Sequence, residues 1–184
     1  MKKDINIIIK DLVYSAIASK LNNVKLISKY DCVKQYPEFV LPKATFITLK
    51  KDGNLRGCIG SLVAHRELYN DLVINAQKAA FEDPRFKPLS IEELDKVNIE
   101  ISILSDAILQ KYDSIEDLKS NIQVGRDGII LKYKEKQSTF LPQVWEDIPN
   151  FENFFAQLSR KGGFDISCLS DGALVYKYQV QKIK

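Results

Sequence analysis

The segment Leu55-Arg56-Gly57-Cys58-Ile59-Gly60 places a guanidinium and a thiol two positions apart, interleaved with glycines. In a regular strand Arg56, Cys58 and Gly60 share one face, and Leu55, Gly57 and Ile59 the other. A nearby arginine favours thiolate, and glycines admit a ligand or another backbone at close range. Cys58 can therefore be a nucleophile or a member of an anion site. The same residues also suit a small buried core cysteine with Arg56 paired to a carboxylate across the sheet. His65, just past this segment, is either a base for Cys58 or a surface residue before a helix.

Three other stretches carry polar groups in special settings. At 80–86, Glu82, Asp83 and Arg85 sit around Pro84 between Phe81 and Phe86, as a site wall or an ion-pair corner. Gly125-Arg126-Asp127-Gly128 is a turn whose Arg126 and Asp127 can bind a ligand or simply form the turn. Pro142 and Gln143, beside Trp145 and Glu146, can orient a ligand or satisfy backbone at a strand end.

Arginine is used sparingly, with 22 Lys against five Arg. In such a chain an arginine is expected where planar, bidentate geometry matters, which singles out Arg56, Arg85 and Arg126 among their Gly, Pro and Asp neighbours. One histidine cannot supply the usual imidazole metal sites; no metal ligand is assigned, only a carboxylate Mg²⁺ site stays open, and no cofactor is identified. Cys32, Cys58 and Cys168 are odd in number and lack Cys-x-x-Cys spacing, so reduced thiols are expected. The net charge of +3 comes from dispersed residues, which argues against nucleic acid. The N-terminal lead is too polar for a signal core or a membrane span, which points to a cytoplasmic protein without a membrane.

These residues need a scaffold. Apolar spacing from Ile5 to Leu21 predicts an amphipathic helix, and residues 22–42, with Tyr36-Pro37 and Leu41-Pro42, an irregular connection. Residues 44–50 and 55–62 form a hairpin about Lys51-Asp52-Gly53-Asn54. A helix over 67–82 stops at Asp83-Pro84, a capping box opens at Ser90, and 98–104 alternates as a strand. Strands follow at 129–133, 138–144 and 173–180, with a helix between Phe151 and Gly162-Gly163. The order lacks a βαβ rhythm, so the expectation is α+β, with a mixed, largely antiparallel sheet and flanking helices. One domain spans 1–184, open to division into two subdomains of unknown boundary.

Five ordered motifs, Leu-Arg-Gly-Cys-Ile-Gly at 55–60, Ala-Ala-Phe-Glu-Asp-Pro-Arg-Phe-Lys-Pro-Leu at 79–89, Ile-Glu-Ile-Ser-Ile-Leu at 99–104, Gly-Arg-Asp-Gly at 125–128 and Phe-Leu-Pro-Gln-Val at 140–144, closely resemble the AMMECR family. Its prokaryotic members are called AmmeMemoRadiSam system protein A. The resemblance implies an α+β fold of two closely packed subdomains with a cleft between them, and an unsettled activity. It marks Arg56, Gly57, Cys58, Gly60, Glu82, Asp83, Arg85, Asp127, Pro142 and Gln143, and suggests a radical-SAM protein and a Memo-like protein as partners. The chain departs from the family at Lys161-Gly162-Gly163-Phe164, where members often carry Lys-Ala-Gly-Leu.

Two functional expectations stand. The first is a cysteine-dependent enzyme or accessory catalyst acting on a small molecule, with Cys58 as nucleophile, Arg56 as anion stabiliser and Glu82 or Asp83 as acid/base. Gly57, Gly60, His65, Arg85, Arg126, Asp127, Pro142 and Gln143 would line the site. The second is a non-enzymatic adaptor or ligand-binding protein working with the radical-SAM and Memo-like partners. Fast thiol chemistry is expected of the first and not of the second.

Overall fold

Asp4 caps the first helix by accepting the Asn6 N–H at 2.7 Å, and α1 then runs Ile5–Leu21. The computed structural model describes residues 4–22 and 24–184. Met1, Lys2 and Lys3, part of the polar N-terminal lead, lie outside the described residues, as does Asn23 of the connection. The chain forms two compact units, one running to Leu104 and taking back Gln181–Lys184, the other Ser105–Val180.

In the first unit, the segment expected to be irregular carries α2 (Lys29–Gln35), opened by Ser28, and a 3-10 turn at Pro37–Val40. The proline that argued against helix serves as the start of that 3-10 turn. The hairpin is β1 (Thr45–Lys51) and β2 (Asn54–Gly60), closed by Asp52 and Gly53, both at positive φ. α3 (Leu68–Phe81), α4 (Ile91–Leu94, with its capping box at Ser90 and Glu93) and β3 (Val97–Leu104) follow. The chain's last strand, β8 (Val180–Ile183), completes a sheet of order β2-β1-β3-β8. Leu12 and Ile17 of α1, Leu72 and Ala76 of α3, and Ile47, Leu49 and Ile101 of the sheet are all fully buried in one core.

β2 is an edge strand, and α3 lies close on it. A side chain at Gly57 would overlap the Ala79 carbonyl oxygen of α3, so glycine here is a packing requirement. α3 is tied to the sheet by buried polar groups. Asp71 accepts from Thr45 N and Oγ1, both at 2.8 Å, from Ser61 Oγ at 2.8 Å and from Arg66 Nε at 3.0 Å. Asn75 donates to Thr45 O at 3.0 Å. A buried carboxylate is tolerable only when its acceptor sites are filled in this way.

The second unit contains β4 (Ile108–Gln110), α5 (Ile115–Asn121), β5 (Gly128–Tyr133), β6 (Lys136–Phe140), α6 (Val144–Asp147), α7 (Phe151–Gly162) and β7 (Leu174–Tyr178), with sheet order β4-β7-β5-β6. The α+β class is as expected, with two four-stranded sheets in place of one. The expected 138–144 strand ends at Phe140, because Pro142 leads into α6. The expected 173–180 strand breaks after Tyr178, giving β7 to one sheet and β8 to the other. α7 ends on Gly163 in the left-handed region, and its Phe154 stacks on Trp145 at 3.5 Å.

Candidate functional site

β2 is not a regular strand. On β1, Lys50 faces Leu55 and Leu49 faces Gly57, so Arg56 has no partner and forms a β-bulge. Cross-strand partners share a face, and Lys50 and Thr48 alternate onto the same side. Leu55, opposite Lys50, therefore lies on the face of Cys58, opposite Thr48, whereas regular alternation puts it with Gly57. Leu55 is accordingly 43% exposed. Gly57 points to α3 and Cys58 to the opposite, half-exposed face. The Cys58 Sγ is 3.3 Å from Thr48 Oγ1.

The outer edge of β2 is capped at Cys58 by two side chains. Asp83 Oδ2 accepts the Cys58 N–H at 2.8 Å, and Arg85 Nη2 donates to the Cys58 carbonyl at 3.2 Å. Asp83 and Arg85 also form a bidentate pair, Nε to Oδ1 at 2.9 Å and Nη2 to Oδ2 at 2.7 Å. Together they occupy the positions a neighbouring strand would fill, which both closes the edge and fixes the backbone beneath the thiol. Arg56 makes a second bidentate pair, with Glu93 of α4, at 3.1 and 2.9 Å, and Lys51 joins it at 3.0 Å. The Phe86 ring lies 5.9 Å from the Arg56 guanidinium carbon and 5.5 Å from that of Arg85.

Both acids are held as anions. The hydrogen bond from Arg85 keeps Asp83 well below the usual carboxylate range against the opposing effect of burial. Arg56, then Lys51, bring Glu93 down to about 2. An acid held so low does not exchange protons near neutrality, so Asp83 acts here as a clamp for the strand. Arg85 is raised, chiefly by its bond to Asp83. Arg85 is thus the guanidinium placed at Cys58, through the Cys58 carbonyl, while Arg56 is turned to Glu93. Burial pushes Cys32 up to about 11 and raises Cys168. Cys58 is the half-exposed thiol of the three.

Cys58, Arg56, Gly57, Gly60, Asp83 and Arg85 thus come together on and beside β2. Glu82 and His65 do not join them. Glu82 is exposed, and His65 Nδ1 sits 2.8 Å from the Val63 carbonyl on an exposed loop. The remaining candidates lie in the second unit. Asp127 is buried, accepts Gln123 N at 2.9 Å, and its carbonyl accepts Trp145 Nε1 at 2.8 Å, which fixes the turn against α6. Arg126 and Gln143 are exposed, and Pro142 is buried with its carbonyl accepting Trp145 N. Among the described residues no group of three or more His, Cys, Asp or Glu is arranged to hold a metal, and no helix is long and apolar enough to cross a membrane.

Thr48, Glu93 and the Asp71 network stand beside the candidate residues without having been singled out in the sequence, whereas Phe86 was named there as part of the wall around Asp83 and Arg85. Counting register from the Asp52-Gly53 turn would set Thr48 opposite Gly57, and only the bulge brings it to Cys58. Glu93 was readable as a cap and carries a second role as the Arg56 partner. The scarcity of arginine was a partial signal: Arg56 and Arg85 make bidentate pairs as expected, whereas Arg126 is exposed and Arg66, not singled out, is the one that binds the buried Asp71.

An edge cysteine clamped by an Asp-Pro-Arg loop, inside an α+β chain of two four-stranded sheets, defines the kind of protein at hand. The family model for AMMECR1 matches residues 11–183, and the chain belongs to that family. It is 37% identical over 145 residues to a protein of Methanothermobacter thermautotrophicus, covering 76% of this chain and 73% of that one. A protein of Methanocaldococcus jannaschii is 34% identical over 165 residues, covering 85% and 80%. The crystal structure of an uncharacterized protein from Pyrococcus horikoshii superposes with a TM-score of 0.81 at 29% identity, covering 99% of this chain and 92% of that one.

Proposed function

We propose that this AMMECR1-family protein works through Cys58, as a cysteine-dependent enzyme or accessory catalyst acting on a small molecule at the half-exposed face of β2. The observation that carries the reading is the clamp. Asp83 and Arg85 fix both backbone polar groups of Cys58, while the residue stays only half-buried, its thiol beside the Thr48 hydroxyl. Cys32 and Cys168 are buried, and their backbone groups are bonded by neighbouring backbone rather than by a pair of charged side chains. A thiolate formed at Cys58 meets the Thr48 O–H as a donor and Arg85 as a nearby cation, both of which favour a nucleophile.

The test is to incubate folded protein with iodoacetamide and map the adducts by peptide mass spectrometry. Modification confined to Cys58, and absent from the Cys58→Ser variant, supports the reading. Modification of Cys58 only after unfolding removes it and leaves the adaptor reading, in which radical-SAM and Memo-like partners engage an inert surface.

A further inference from the structure

We propose that the Cys58 face receives an anionic substrate, one carrying a carboxylate or phosphate, with Arg85 as its contact; this rests on the reading of Cys58 as the reactive group.

The charge balance on the Cys58 side of β2 is uneven. Glu100 is shared by Lys50 and Lys184, and at the strand edge Asp83 pairs with Arg85, so three cations meet two carboxylates in these pairs. Glu82, the adjacent acid, is exposed and its side chain joins none of them. Row by row across the sheet, Cys58 faces Thr48 and Thr48 faces Glu100, so the thiol, the hydroxyl and the Lys50–Glu100 pair share one surface.

The Arg85 guanidinium has hydrogen-bonding capacity left. Arg85 spends Nε and Nη2 on Asp83 and Cys58, its side chain is 53% exposed, and its Nη1 has no protein partner among the described residues. An oxyanion is the acceptor that a free arginine amino group suits best. Arg56 is enclosed at 14% and held by Glu93, so it adds positive charge beside the site rather than a contact. Because Asp83 already holds the Arg85 guanidinium beside Phe86, that arginine does not have to be ordered when the anion arrives, which lowers the entropic cost of binding.

The experiment compares two thiol reagents of similar size and opposite demand, anionic iodoacetate and neutral iodoacetamide, on Cys58 of the folded full chain. The ratio of their rates is referred to the same ratio in the denatured chain. The expected ratio is raised about fivefold in the folded protein, the size of one half-exposed ion pair. Inorganic phosphate should slow alkylation, Arg85→Gln should return the ratio to the denatured value, and Arg85→Lys should restore part of the preference. A folded ratio equal to the denatured one, without phosphate protection, overturns the anionic substrate while the thiol reading stands. Cys58 inert to both reagents until denaturation overturns the thiol reading and the proposal with it.

Discussion

The carboxylate of Asp83 accepts the backbone N–H of Cys58 at 2.8 Å, across 25 positions of sequence and on the free edge of β2. The contact joins two of the chain's most unusual segments, the Gly-Cys strand and the Asp-Pro-Arg corner, and it leaves the thiol outside the bond. Asp83→Asn keeps the shape and loses the charge shared by Cys58 N and Arg85. It should lower stability by about 1–3 kcal/mol in urea titration. A variant as stable as the parent would mean the clamp contributes nothing to the fold.

Glycine is required at both 57 and 60 by close backbone. A methyl group at Gly57 would overlap the Ala79 carbonyl of α3, and one at Gly60 would overlap the Thr45 carbonyl of β1 and the Phe46 ring. Gly57→Ala and Gly60→Ala should therefore each cost about 2 kcal/mol or more. Thermal melts of the two variants check this, and a Gly57→Ala variant as stable as the parent would contradict the packing of α3 on β2.

Much of this scaffold is visible in the sequence, for physical reasons that can be named. The Asp52-Gly53 turn, the Ser90 and Glu93 capping box and Gly163 at the end of α7 are local devices, written in adjacent residues. α2 was hidden because Pro37 follows it closely, and β4 because three residues show no period. The Arg56 bulge depends on how β1 and β2 pair, and Asp71 and Asn75 look like ordinary polar positions until the helix is packed. The candidate site was legible as residue types, and its geometry was not. Arg56 pairs with Glu93, 37 positions away, and Arg85 takes the place beside Cys58.

The buried Asp71 network predicts a large effect at a position without any motif. Asp71→Asn removes the anion that Arg66, Ser61 and Thr45 all address, and should cost roughly 3 kcal/mol, as expected for breaking a buried charge pair. Chemical denaturation measures it, and a loss below about 1 kcal/mol would show the network to be replaceable by neutral hydrogen bonds.

Acid should weaken the first unit in a defined window. Glu93 stands at about 2 in the folded chain against an ordinary 4.5, because Arg56 and Lys51 bond its ionised form. The unfolded chain takes up the proton first as pH falls, so the stabilisation is fully present above about pH 4.5 and is lost on the way down through about 2. Asp83, also lowered, adds to the loss in the same direction. Urea midpoints between pH 6 and pH 2.5 should fall steeply in the parent and less steeply in Glu93→Gln. Equal slopes would contradict the role of the Arg56 pair.

The central claim is that the fold presents Cys58 as a reactive thiol. The direct measurement is the second-order rate of iodoacetamide with Cys58 at pH 7, resolved from Cys32 and Cys168 by peptide mapping, in the folded chain and in denaturant. The account predicts a folded-state rate several-fold above that of the denatured chain, with Cys32 and Cys168 unmodified until unfolding and the Cys58 advantage reduced by Thr48→Val. A folded-state rate at or below the denatured one would contradict it.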